Sequence, residues 1–397
     1  MRGDGQKLWT AAFLLSIIAN FFVVSILYLL MTTMALYAVE RFQASDSVAG
    51  LAAGSFIVGA LAGRIFAGKF LDFVGRRRLF LGALIILVIA ALLYIPVNNL
   101  LLLLTIRTIH GVAFGAASTT LSASVMALIP AARRSEGTGY FAVSNTLAIA
   151  IGPFAAVLLV DAATYDVLFL VAAGCALAAL IVGLFVRLPE RTPTADERMH
   201  KWRMRWSDVF EPGALGIASV VFVAAIAYSG VMAFLNSYAQ QNDMVVAAST
   251  FFLIYAGVAL LSRFFIGRIQ DRYGDNVVVY PMLLAFAIGL GLIAIASNGV
   301  VLLVAGAFLG IGFGGLLPCA QAIAITTAPL RRVGVTTSTY FIALDAGTGF
   351  GPLVLGSLIP AIGFEGMYAA LAVLVLASMV LYHFVHGDKK YRQRFAA

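Results

Sequence analysis

Long apolar runs, separated by short polar and charged segments, follow one another through the chain. They cover residues 8–39, 47–71, 78–97, 99–128, 136–160, 164–187, then 213–239, 244–270, 277–297, 299–327, 333–360 and 364–386. About 20 residues at 1.5 Å each cross a hydrocarbon layer roughly 30 Å thick as a helix, which satisfies its own backbone hydrogen bonds on the way. The pattern therefore predicts an all-α membrane protein with twelve transmembrane helices. Connections such as 96–99 and 297–299 leave no room for an outer domain. The first run is too long for a secretory signal and has no small-residue cleavage site, so it is expected to stay as the first helix.

One connection is different. Residues 189–212, rich in charge and proline, divide a first group of six spans (1–188) from a second (213–397) and are expected to form a cytoplasmic linker. Within it Met199, Trp202, Trp206, Val209 and Phe210 recur at helical spacing among Arg198, Lys201, Arg203 and Arg205, a pattern that suits an amphipathic helix on the anionic inner leaflet. The two groups repeat one another. Arg64, Phe66, Gly68, Asp72 and Gly75 recur 199 residues on as Arg263, Phe265, Gly267, Asp271 and Gly274. Gly111, Gly115 and Pro130 recur as Gly310, Gly314 and Pro329, and Gly152-Pro153 as Gly351-Pro352, at the same offset. Parallel repeats of this kind imply two pseudo-symmetric half-bundles that rock about a site between them.

Composition agrees with a lipid solvent: 62% of residues are hydrophobic and 11% charged, where soluble domains carry about a quarter charged. The net charge of +8 would suit a nucleic-acid partner were it gathered on one face. Instead Lys69, Arg76 to Arg78, Arg133, Arg134, the linker, Arg268, Arg272, Arg331, Arg332 and the basic residues of 389–394 all fall in segments on one side of the predicted bundle, leaving only Arg41 outside. That is the positive-inside bias, which expects both termini in the cytoplasm and no nucleic acid. Cys175 and Cys319 lie in different halves and suggest neither a disulfide nor a metal cluster. Two nucleotide-like strings, G-R-I-F-A-G-K at 63–69 and G-I-G-F-G-G at 310–315, sit inside predicted spans, where glycines serve close helix packing.

The stretch G-K-F-L-D-F-V-G-R-R at 68–77 is the densest motif. Gly75 permits a tight turn, Asp72 can accept from helix N-termini or pair with an arginine, and Arg76 and Arg77 hold the loop at the inner surface. Here the chain resembles the major facilitator superfamily, whose loop between helices 2 and 3 reads G-x-x-x-D-x-x-G-R-[RK]. The resemblance implies a gating latch built from Gly68, Asp72, Gly75, Arg76 and Arg77, echoed at Asp271; a pure topology and packing role is the plain alternative. The superfamily's proton-coupled members carry R-x-x-Q-G in helix 4, matched here by Arg107 and Gly111 with His110 in place of glutamine. An intramembrane arginine is functional by default, and histidine changes charge near neutral pH, although a lone histidine also serves as hydrogen-bonded structure. Antiporters of the superfamily carry a glycine-rich run ending in G-P in helix 5, met in part by Gly139 and Gly152-Pro153, with Ala148, Ala156 and Val157 where the pattern differs.

Asp345 falls near the middle of the eleventh span. A carboxylate there can exchange a proton for a cationic substrate or a salt bridge, with Arg107 as a candidate modulator; a structural ion pair is the alternative. Asn20, Tyr28, Asn145, Tyr228, Tyr255 and Gln321 lie at similar depth and are expected to line a cavity. Together with the resemblance, these features lead to the expectation of a secondary transporter and not an enzyme. It would be monomeric, in a bacterial inner membrane, and would need no cofactor beyond the proton gradient. By alternating access it would export a small amphiphilic organic compound or drug in exchange for protons. Proton-coupled import of a sugar or organic acid, or export of a sugar or metal-chelating metabolite, stays open on the same residues.

Overall fold

The computed structural model describes residues 8–31, 33–44, 46–199, 201–202 and 205–388. Arg203, the basic residues of 389–394 and the side chain of Pro153 lie outside what is described. No strand occurs among the described residues.

The helices that build the twelve spans are more irregular than the apolar runs suggest. The first run is interrupted, giving α1 (Ala11–Met31) and α2 (Met34–Phe42). The rest of the first six are α3 (Asp46–Val74), α4 (Arg76–Leu93), α5 (Leu100–Leu128), α6 (Arg134–Ala162) and α7 (Tyr165–Phe185). The linker forms two short helical pieces, α8 (Ala195–Met199) and α9 (Trp206–Val209). Next come α10 (Pro212–Gln241), α11 (Val245–Tyr273) and α12 (Asn276–Ala294). α13 (Gly299–Leu309) runs through a π-helical turn, Gly310–Gly314, into α14 (Gly315–Thr326). The last two runs are two helices on either side of Gly363, whose backbone is not helical (φ +70°, ψ 177°), and carry the single label α15 (Val333–Tyr382).

Among the described residues, eight stretches are long and apolar enough to cross a membrane by length and composition alone. Charge keeps α4 out of that group, since it opens on three arginines. Large apolar side chains such as Leu101, Phe185, Leu253, Val300 and Phe384 stand fully out on the surface, which is the expected dress of a lipid-facing helix.

The chain gathers into two compact units. One holds Met1–Pro130, Leu147–Phe210 and Leu330–Ser338; the other holds Ala131–Thr146, Glu211–Pro329 and Thr339–Ala397.

Within the first unit, α3 and α5 touch backbone to backbone. A Cβ placed on Gly59 or Gly63 would lie 2.1 Å from the carbonyl oxygen of Thr108 or Val112, and one on Gly111 or Gly115 would lie 2.0 or 2.1 Å from that of Phe56 or Ala60. Only glycine permits this approach, and both helices supply it, as small residues do in membrane helix pairs. Around this pair the apolar core is aromatic: Tyr37, Tyr94 and Phe169 pack edge-on or tilted with centroids about 5 Å apart.

The second unit repeats the arrangement with a defect. The positions corresponding to Gly59 and Gly63 are Val258 and Ser262, so only one of the two helices offers glycines. A Cβ on Gly310 would meet Tyr255 O at 2.6 Å and one on Gly314 would meet Ala259 Cβ at 2.6 Å, a looser contact. The π turn lies across these two glycines, where the larger α11 side chains must be accommodated. Tyr238 and Tyr368 tie the unit together by donating to Ile293 O (2.8 Å) and Gly230 O (3.2 Å).

Candidate functional site

At the start of α4 the sequence places Arg76, Arg77 and Arg78, three cations at the end of a helix that already carries partial positive charge. The surroundings offset this. Glu190 accepts the backbone N–H of both Arg76 and Arg77 at 2.9 Å. Asp72 accepts from Arg76 Nε (2.8 Å) and from Arg191 Nη1 (3.1 Å), and Arg191 gives its other nitrogen to both oxygens of Glu197 (2.8 and 2.9 Å). The Arg77 guanidinium reaches Leu184 O (2.7 Å) and Val186 O (3.3 Å), carbonyls at the C-terminal end of α7 that lack helical donors. Gly75 makes the turn at φ +94°.

The linker is fastened to the same place. Lys69 donates to Asp208 at 3.0 Å, and Arg332 donates to Ser207 O. Gly68 leaves room for the first turns of α15: a Cβ there would lie 2.7 Å from Ser338 Cβ, and Ser338 Oγ donates to Arg64 O at 2.8 Å. A cavity of about 440 Å³ opens beside this network, lined among others by Lys69, Asp72, Arg191, Glu197, Asp208 and Arg332. None of the mid-span polar candidates lines it.

Two linker carboxylates are held below their ordinary range. For Asp208 burial pushes upward most strongly, but the Arg205 amide and the Lys69 ammonium together outweigh it. For Glu197 burial again opposes, and the Arg191 guanidinium and Thr194 prevail. Sequence reasoning found Gly68, Asp72, Gly75, Arg76 and Arg77 but missed Glu190, Arg191, Glu197 and Asp208. The only signal for them was the interleaving of opposite charges along the linker.

The second copy of the motif does different work. Asp271 accepts from the backbone N–H of Ser135 (2.9 Å) and Glu136 (3.0 Å), capping α6. A Cβ on Gly267 would lie 2.6 Å from Glu136 Cα, so that glycine lets the α6 N-terminus approach. Arg133 and Arg268 both pair with Glu136, at 2.6 and 2.8 Å. Where Arg76 stands in the first repeat, the second has Asp275, which accepts from Gln270 (3.0 Å) and pairs with His386 (2.9 Å). The two motif aspartates thus divide the roles the sequence allowed: Asp72 receives arginines and Asp271 caps a helix.

Among groups inside the spans, Arg107 and His110 form one cluster in the first unit. Arg107 is 1% exposed, donates Nε to Ala52 O at 2.9 Å and lies 4.9 Å from the Phe56 ring centroid. Tyr94 is within hydrogen-bonding reach of Arg107, and its hydroxyl meets His110 Nδ1 at 3.0 Å. Arg107 therefore has local partners on α3 and α4. Asn20 is buried in α1 and Tyr28 half-buried; a Cβ on Gly152 would lie 2.6 Å from Tyr28 Cβ, so Gly152 lets α6 press against α1.

In the second unit Tyr228 stacks on Tyr255 (5.4 Å) and on Phe313 (4.1 Å). Gln321 is buried, and Asn145 and Asp345 are half-buried. The Asp345 backbone oxygen accepts from Thr348 at 3.2 Å. No group of three or more histidine, cysteine or acidic side chains fit to hold a metal occurs among the described residues.

A bundle of twelve spans in two repeats, with charged clusters at helix ends and ionisable groups within the spans, defines a multi-pass membrane transporter for small molecules. The chain belongs to the major facilitator superfamily: the family model described as Major Facilitator Superfamily matches residues 13–281 and 244–397. It is 23% identical over 352 residues to the staphylopine export protein of Staphylococcus aureus (strain Mu50 / ATCC 700699), covering 85% of this chain and 87% of that one. It is 23% identical over 332 residues to the multidrug resistance protein MdtG of Serratia proteamaculans (strain 568), covering 82% and 80%. The fold matches the crystal structure of the human organic anion transporter MFSD10 (TETRAN) with a TM-score of 0.79 at 17% identity, covering 94% of this chain and 98% of that one.

Proposed function

We propose that the protein is a proton-coupled antiporter that exports a small amphiphilic organic compound by alternating access. It would work as a monomer in a bacterial inner membrane, with both termini in the cytoplasm. The observation that carries this reading is Asp345. It lies 12 residues into α15, about 18 Å along the helix from its inner end, and half-buried. An ionisable residue at that depth marks a proton or ion pathway. It can bind a proton when the substrate leaves and release it when a cationic substrate arrives. One relative is named an export protein and another a multidrug resistance protein, which supports the direction. The clusters at Asp72 and Asp271 act as latches in this reading, loosening and re-forming once per cycle, and Gly152-Pro153 lets α6 bend against α1.

The test uses Asp345→Asn in proteoliposomes of known orientation. The variant should purify with an unchanged unfolding midpoint, exchange substrate down its own gradient, and fail to move it uphill when a pH gradient is imposed. Uphill transport at the wild-type rate by the variant would refute the assignment. Protons moving with the substrate instead of against it would replace antiport by import.

A further inference from the structure

The cavity of about 440 Å³ beside Asp72 has all its walls in the first unit, and its charges do not balance. Three carboxylates face it, and each already accepts from a cation: Asp72 from Arg76 and Arg191, Glu197 from Arg191, and Asp208 from Lys69. Arg205 and Arg331 face the same space, and neither guanidinium has a carboxylate partner among the described residues. The two are brought near each other by Arg332, which donates Nη2 to Ser207 O and so draws the turn Leu330–Arg332 against the start of α9. The lining therefore carries an excess of positive charge in a concave space, where low-dielectric walls concentrate the field.

The size and the chemistry of the lining narrow the occupant. Each guanidinium is a planar fork of donors that matches the oxygens of a phosphate two at a time. A carboxylate monoanion would leave one of the two charges unmatched, and a halide could use neither fork. Phe73, Pro193 and Val335 add apolar surface to the same lining. The volume falls among those of pockets that take whole organic ligands, about 300–1,000 Å³, so the phosphate comes with an organic body attached.

We propose that this cavity binds a phosphomonoester, with its dianionic phosphate held by Arg205 and Arg331 and its organic body against Phe73 and Val335. A soluble metabolite and a lipid with a phosphomonoester headgroup share this chemistry. The bound ester ties the linker, through Arg205, to the turn before α15, through Arg331, and so reinforces the clamp that Lys69 makes on Asp208. The site involves neither Asp345 nor the direction of transport, and its test stands apart from the one above.

The purified full chain in detergent is titrated with adenosine monophosphate or with phosphatidic acid, each against sodium gluconate at equal ionic strength. At about a hundredfold excess over its dissociation constant, a binding ester should raise the unfolding midpoint by roughly 2–3 °C. A shift with adenosine monophosphate assigns a soluble source, and a shift with phosphatidic acid alone assigns a lipid; either supports the site. Arg205→Gln/Arg331→Gln should lose the shift, whereas Arg198→Gln/Arg272→Gln, which removes two exposed arginines outside the cavity, should keep it. Trypsin supplies a readout that needs no variant: the ester should slow cleavage after Arg205 several-fold and leave cleavage after Arg198 unchanged. No shift with either ester, a shift that survives in Arg205→Gln/Arg331→Gln, or equal slowing of both cleavages overturns the proposal.

Discussion

A single added methyl tests the contact between α3 and α5. In Gly111→Ala the new Cβ would lie 2.0 Å from Phe56 O and 3.0 Å from Ala60 N, whereas ordinary contact begins near 3.4 Å. The helices would have to part by roughly 1 Å, a gap that forfeits a quarter to a half of the dispersion attraction across it. Local relief is blocked because Gly59, Gly63 and Gly115 hold the same two backbones together. Overpacking of this kind costs about 1–3 kcal/mol, and the better helix propensity of alanine offsets at most about 1 kcal/mol. The net loss, about 1–2 kcal/mol, corresponds to a midpoint roughly 1–3 °C lower for a chain of this length. Gly82→Ala in α4 and Gly174→Ala in α7 are matched controls, because a Cβ at either meets nothing within 4 Å, and they should be neutral or slightly stabilising. Unfolding midpoints of the three variants in one detergent decide the matter. If Gly111→Ala melts at or above Gly174→Ala, the backbone contact is not what holds this pair.

Asp271→Ala removes two charge-assisted bonds to the first amides of α6 and should lower the unfolding midpoint by the equivalent of about 2 kcal/mol, with Asp271→Asn recovering part of it; equal midpoints for wild type and alanine variant would contradict the capping role. Lys69→Met should release the α9 end of the linker from α3 and speed trypsin cleavage after Lys201, and unchanged cleavage kinetics would count against the Lys69 clamp. Asp208 and Glu197 titrate below their free values, so their docking contribution is complete above the free carboxylate value and is lost as pH falls through the lowered one. In a Trp9→Phe background, Trp202 and Trp206 fluorescence should therefore stay constant from neutral pH to about pH 4 and change only below it; a transition near pH 6 would refute this account. Trp202 and Trp206 are each 82% exposed beside Lys201 and Arg205, so both changed to serine should weaken adhesion of a linker peptide to anionic vesicles.

The spans and the repeat were legible because a helix in lipid must be long and apolar, and because glycines, prolines and motif charges recurred at one fixed offset. What was not legible came from contacts far apart in sequence. Nothing near Asp72 announces Arg191, its partner 119 residues on, and nothing in the motif says that Asp271 would cap α6. The interruption near Thr33 runs against apolar patterning, which marks membrane depth and is blind to local kinks, whereas the break at Gly363 falls between the last two runs, as the pattern expected. The π turn at Gly310–Gly314 was hidden for another reason: what it packs against, Val258 and Ala259 on α11, lies far off in the sequence, and the glycines alone suggested only close packing. Among the site residues, Arg107 and His110 were rightly placed near each other by their spacing. Tyr94, which joins them, comes from a neighbouring helix and carried no motif.

The cap on α4 also has a consequence in time. Its carboxylate, Glu190, follows Arg76 by 114 residues, and chains emerge at roughly 5–20 residues per second. For roughly 6–23 s after Arg76 is made, two of the first amides of α4 and three crowded arginines must wait. They are closed only when the ribosome has passed α7. A linker residue just beyond the first group of spans is thus also the one that reports its completion, and a nascent chain halted just short of Glu190 should linger on the insertion machinery longer than one halted just beyond it.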